Sequence, residues 1–198
     1  MKLYIFEILF MFLAINSAIA KNNNSKLMPS QFKLQYAGSM GLVSSGFGWS
    51  YGKSNNWETD FMVGYIPKYT THKAKMCVTI KENYIPWKKH FRNSAFFLEP
   101  LTSSIYINTV SGEEFWSQEP NKYPKPYYKF STKVRFSISV GQRMTYKIPA
   151  STKTRVKSIS AFYEISSSDL YIVSAVKDSY LKPTDYLHLS LGVGFRWV

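Results

Sequence analysis

The stretch Leu187-His188-Leu189-Ser190-Leu191-Gly192-Val193-Gly194-Phe195-Arg196-Trp197 decides the fold. Leucine, valine and aromatic residues at 187, 189, 191, 193, 195 and 197 alternate with His188, Ser190, Gly192, Gly194 and Arg196. Side chains of a β-strand point to opposite faces in turn, so a period of two means one apolar and one polar face. The alternation lasts eleven residues, and a strand that crosses a bilayer needs about 9–11.

The same pattern recurs upstream. In residues 130–143, Phe130, Val134, Phe136, Ile138 and Val140 alternate with Lys133, Arg135, Ser137 and Ser139. Residues 57–65, 75–83 and 158–165 alternate in the same way. Three further stretches are less regular. Residues 34–51 read as one long strand whose apolar parity switches at Leu42-Val43, which a β-bulge among Gly38, Gly41, Gly46 and Gly48 would explain. Residues 101–109 form a short strand, and residues 170–176 are apolar on both faces. The expected fold is therefore all-β, an antiparallel up-and-down transmembrane β-barrel of about 8 strands, with 10 as the alternative.

Parity also assigns the faces. Phe136, Ile138, Leu189, Leu191, Val193 and Phe195 are expected to face lipid, and Glu58, Asp60, Lys133, Arg135, Arg143, Glu164 and Arg196 the lumen. The lumen of an eight-stranded barrel is just wide enough to be filled by side chains. Unpaired charges there are costly, so Glu58, Asp60, Lys133, Arg135, Glu164 and Arg196 are expected to form an internal ion-pair network, with Arg135 opposite Glu58 or Glu164. A filled lumen disfavours a general pore.

The beginning of the chain points to export. Lys2, an apolar run from Ile8 to Ile15 and the small residues Ala18 and Ala20 read as a secretory signal peptide over 1–20, cleaved before Lys21. The run is too short to span a bilayer as a helix. Residues 21–31 read as a flexible segment and 32–198 as the barrel. With Cys77 as the only cysteine, no intramolecular disulfide exists, so stability must come from strand closure. The net charge of +13 favours an anionic partner. For an exported chain that means lipopolysaccharide phosphates rather than nucleic acid, with basic loops 88–92 and 153–155 facing outward. Tyr and Phe number 15 and 14, in keeping with the aromatic girdles of membrane barrels. The long connection over 111–128 creates a conflict, because this strand order puts it on the periplasmic side, where turns are normally short.

The runs Tyr163-Glu164-Ile165-Ser166 to Asp169-Leu170-Tyr171 and Leu189 to Phe195 resemble small outer-membrane β-barrel proteins of Gram-negative bacteria, an uncharacterised family of eight-stranded type. The resemblance covers most of the chain after residue 20. It implies the barrel fold and location in the outer membrane; outer-membrane lipid and the insertion machinery are the expected partners, and a monomer the expected state. It brings no active site. Many such barrels end on an aromatic residue, whereas here Trp197 is penultimate.

Chemistry is sparse, and the expected role is structural or surface-interacting, without enzyme activity. His188 and Ser190 share one strand face, and with Glu164 as orienter they form the one candidate for a nucleophilic site, that of a lipid A acyl hydrolase. His72 and His90 sit in expected loops without a second ligand, so no metal or cofactor is expected. Cys77 reads as a lumen filler. Gly46-Phe47-Gly48-Trp49 offers a last alternative, a secreted lipocalin-like carrier, which would be apolar inside and polar outside.

Overall fold

The parity switch at Leu42-Val43 is a hairpin turn and not a bulge. A computed structural model describes residues 28–68, 74–92, 94–111, 134–152, 154–169, 172 and 183–197. It splits the expected first strand into β1 (Gln31–Ala37) and β2 (Val43–Tyr51). Between them Gly38 and Gly41 adopt φ of +84° and +106°, the left-handed region that glycine enters without penalty. The strands β3 (Trp57–Ile66), β4 (Lys75–Tyr84), β5 (Lys89–His90), β6 (Phe96–Val110), β7 (Val134–Lys147), β8 (Ser158–Ser168) and β9 (His188–Arg196) follow.

Each strand pairs antiparallel with its neighbours, β4 pairs with β6, and β1 pairs with β9, so eight strands close into a ring with β5 outside on the edge of β6. The number eight is reached by a different division of the chain from the one expected. The stretch 170–176 lies outside the described residues apart from Ile172. β8 pairs directly with β9, so the ring of eight closes among the described strands. Residue 31 belongs to β1 rather than to a flexible tail, and the Ser30 amide already donates to the Gly48 carbonyl.

Following paired residues once round the ring from Ser158 leads through Arg196, Gln31, Gly48, Asp60, Lys81, Tyr106 and Ser137 back to Ser168. The shear is thus ten residues for eight strands. At the usual strand rise and spacing this tilts the strands by about 40°.

The hairpin also settles the order of the connections. The rim where β1 begins and β9 ends, here called proximal, carries the turns 52–56, 85–95 and 148–157. The opposite, distal rim carries 38–42, 67–74, 111–133 and 169–187. Both long segments therefore leave from the distal rim, and the conflict over 111–128 disappears. The loops 88–92 and 153–155 belong to the proximal rim, away from those long segments.

The barrel is apolar outside and polar inside. Among the described residues, six buried side chains are apolar and twenty-five are polar or charged. Each of the eight staves exposes large apolar side chains, among them Leu34, Phe47, Phe61, Ile80, Ile105, Ile138, Ile165 and Leu191. Phe136, Leu189 and Val193 are exposed on this same outer face, while Phe195 is half-buried there.

Candidate functional site

Inward-pointing residues of β1, β3, β6, β7 and β9 converge on Glu58, which is fully buried. Arg143 places its two terminal nitrogens on the Glu58 carboxylate at 2.8 and 2.9 Å, and its Nε donates to Glu99. Arg196 reaches Glu58 from the other side and donates to the Gln31 carbonyl oxygen at 2.9 Å. Lys33 bridges Glu58 at 3.0 Å and Asp60 at 2.6 Å. Asn83 donates to Asp60 at 2.7 Å and accepts from the Ser104 hydroxyl at 2.9 Å. Three cations thus face three carboxylates, which offsets the cost of burying each charge. A second pair, Lys81 and Glu164 at 2.5 Å, crosses the lumen from β4 to β8.

Side chains close both mouths. At the proximal rim Ile85 is fully buried directly after β4, with its amide donating to the Asn56 carbonyl. It lines a cavity of about 10 Å³ with Lys33, Arg143 and Glu164, at the lower limit for one water. Lys88 stands at the same rim and donates to the carbonyls of Ser54 and Asn55 at 2.8 and 3.0 Å. Burial pushes the Lys88 ammonium below the ordinary lysine range, against the pull of Glu99. At the distal rim the turn 38–42 tucks inward and Met40 packs on Met62 and Tyr106. Asn108 donates to the Ser39 carbonyl at 2.7 Å and Ser39 meets the Ser166 hydroxyl at 3.1 Å. A Cβ on Gly64 would stand 1.8 Å from the Met40 carbonyl oxygen, so that stave must carry glycine for the turn to enter.

The outer wall carries a buried polar cluster. Glu82 follows the inward-facing Lys81 and points outward, yet it is 6% exposed because Tyr51 and Thr59 cover it. Both hydroxyls donate to its carboxylate, that of Thr59 at 2.5 Å. The wall also has an open groove of about 440 Å³ beside Pro100 and Leu101, where the register of β6 on β7 shifts between Glu99 and Thr102.

The expected site residues are distributed as follows. Glu58, Asp60 and Arg196 do meet, and Glu164 sits in its own pair with Lys81. Arg135 joins neither group. It lies at the distal end of β7 and reaches Asp169 at 3.6 Å, because register carries it far from Glu58. Lys133 lies outside the described residues, as do His72 and Lys153. Lys33, Glu99 and Arg143 complete the network. Glu99 falls outside the expected strand 101–109 because Pro100 reads as a strand breaker, whereas the proline sits at the bulge where a ladder hydrogen bond is dispensable.

Ser190 is buried in the lumen, and its hydroxyl donates to the backbone carbonyl of Glu164 at 3.3 Å. The Glu164 carboxylate is paired with Lys81 across the lumen. Cys77 is buried beside Thr79. Among the described residues no group of three His, Cys, Asp or Glu is placed to hold a metal ion. In comparisons with models of protein families, with curated proteins and with solved structures, nothing matches the chain.

Proposed function

We propose that this chain is an outer-membrane β-barrel protein of a Gram-negative bacterium, exported with cleavage before Lys21 and acting as a sealed structural or surface-interaction element. The observation that carries the reading is the inverted partition of side chains: a mainly apolar exterior on all eight staves around an ion-paired interior. Such an exterior is stable against hydrocarbon and unstable against water, and closure removes every edge that lipid would leave unpaired. The likeness of residues 163–171 and 189–195 to small outer-membrane barrels supports the same location. The proposed partners are outer-membrane lipid and the insertion machinery, and the barrel is a monomer.

A filled lumen argues against a pore, and the inward burial of Ser190 argues against acyl hydrolysis. A lipocalin-like carrier needs an apolar interior, the reverse of this one. Entry from the periplasm leaves the proximal rim on that side, so the contact with lipopolysaccharide expected of loops 88–92 and 153–155 is dropped.

Cell fractionation tests the reading. The protein should sediment with the outer membrane, require detergent for extraction and show heat-modifiable gel migration. Recovery as a monodisperse periplasmic protein without detergent would overturn it.

A further inference from the structure

We propose that the proximal rim is a docking surface for anionic phospholipid headgroups; this rests on the membrane reading above and names its partner at that rim. The three segments that join staves there, 52–56, 85–95 and 148–157, contain no Asp or Glu. The segments at the distal rim hold Glu113, Glu114, Glu119, Asp169, Asp178 and Asp185. Those distal segments also hold eight lysines, so they mix both signs of charge, whereas the proximal segments are basic only.

At the proximal rim Lys53, Lys89, Arg92, Lys147, Arg155 and Lys157 are exposed, and none is ion-paired among the described residues. The acidic groups nearest this end are all buried: Glu58, Asp60 and Glu99 are matched by Lys33, Arg143 and Arg196, and Glu82 is covered by the hydroxyls of Tyr51 and Thr59, so no exposed carboxylate stands among the described residues of this rim. The collar of cations thus has no internal counter-charge. Its level is set by aromatic residues. Trp57 and Tyr84 meet in a tilted contact with ring centroids 4.7 Å apart, Phe96 and Tyr146 likewise at 4.9 Å, and Trp87 is 58% exposed. Rings with an apolar body and a polar tip belong at the headgroup level of a bilayer. Cations interleaved with such rings meet lipid phosphates, whereas a collar that binds a dissolved polyanion would need no rings. Each basic residue at a bilayer surface adds about fivefold to association with anionic lipid, an effect that salt screens.

The test uses the full barrel folded into vesicles that contain brominated phosphatidylglycerol or brominated phosphatidylcholine. Trp116, in the distal segment 111–133, is replaced by phenylalanine, which leaves Trp49, Trp57, Trp87 and Trp197 as reporters of the proximal half. Quenching should show a preference for phosphatidylglycerol of about fivefold or more at low salt that fades at high salt. The variant Lys53→Gln/Lys89→Gln/Arg92→Gln/Arg155→Gln/Lys157→Gln should keep heat-modifiable folding and lose the preference. Equal quenching by the two lipids in the parent barrel would overturn the proposal, leave the membrane reading intact and turn attention to a soluble polyanion. A preference that survives neutralisation would overturn the assignment to these residues. Absence of quenching by either lipid would sink the membrane reading and the proposal with it.

Discussion

Arg143 on β7 and Glu58 on β3 face each other across the lumen as a two-pronged pair, with both terminal nitrogens of the guanidinium on both oxygens of the carboxylate. Lys33 and Arg196 also reach Glu58 and Glu99 also accepts from Arg143, so the pair sits at the centre of a network that ties opposite walls of the barrel together.

Arg143→Met removes that tie and leaves Glu58 and Glu99 under-compensated. The cost should be about 3–5 kcal/mol, read from urea unfolding in detergent micelles. Adding Glu58→Gln should recover part of the loss, with a coupling of about 1–3 kcal/mol. The same cycle on Arg135 and Glu164 should show no coupling, since Arg135 reaches Asp169 and Glu164 reaches Lys81.

Leu191 is 54% exposed on the outer wall. Leu191→Arg should cost about 2–4 kcal/mol if the residue lies near the bilayer midplane, measured as folding free energy into phospholipid vesicles. On a water-soluble barrel the same exposed substitution would fall within about 0.5 kcal/mol of neutral. A neutral result would therefore count against the bilayer as the surrounding medium.

Glu82 depends on two donors on the outer wall, the hydroxyls of Tyr51 and Thr59. Tyr51→Phe leaves one carboxylate oxygen without its partner and should destabilise the barrel by about 1–3 kcal/mol. Tyr51→Phe with Glu82→Leu, which removes acceptor and donor together, should cost less than Tyr51→Phe alone. A larger loss for the double variant would mean that the cluster is held by packing rather than by these hydrogen bonds.

Gly64→Ala puts a methyl group where the Met40 carbonyl stands, so the turn 38–42 must withdraw from the distal mouth. Overpacking of this kind costs about 1–3 kcal/mol. The sharper readout is amide hydrogen exchange. The Leu42 amide, bonded to the Tyr65 carbonyl at 2.8 Å, should lose protection while amides in β7 and β8 keep theirs. Unchanged protection at Leu42 would show that the turn does not need the space Gly64 leaves.

Alternation is a local property, and it was legible wherever a stave has one face on each medium. The exposed positions of β7 and β9 and the inward placement of Glu58, Asp60, Glu164 and Arg196 follow from counting by twos along single strands. Residues 34–51 misled for the same reason. A tight turn of five residues shifts parity just as a bulge does, and only the pairing of Tyr36 with Val43 tells them apart. Glu99 was hidden by Pro100, and Glu82 by its charge, because it keeps the outward parity of β4 at a position where an apolar side chain is expected.

The sequence by itself determined that the chain is a barrel of period-two strands with charges inside and aliphatic side chains outside, because each residue's face depends only on its neighbours along the strand. Which charge meets which was decided by the tertiary structure. The shear of ten residues brings Arg196, Gln31, Lys33 and Arg143 to Glu58 and sends Arg135 to Asp169. That stagger comes from closing eight tilted strands into a ring, and no single strand carries it. The same closure fixed which loops share a rim, so only the folded barrel gathers Lys53, Lys89 and Arg155 on one side, across from the segments that hold both signs of charge.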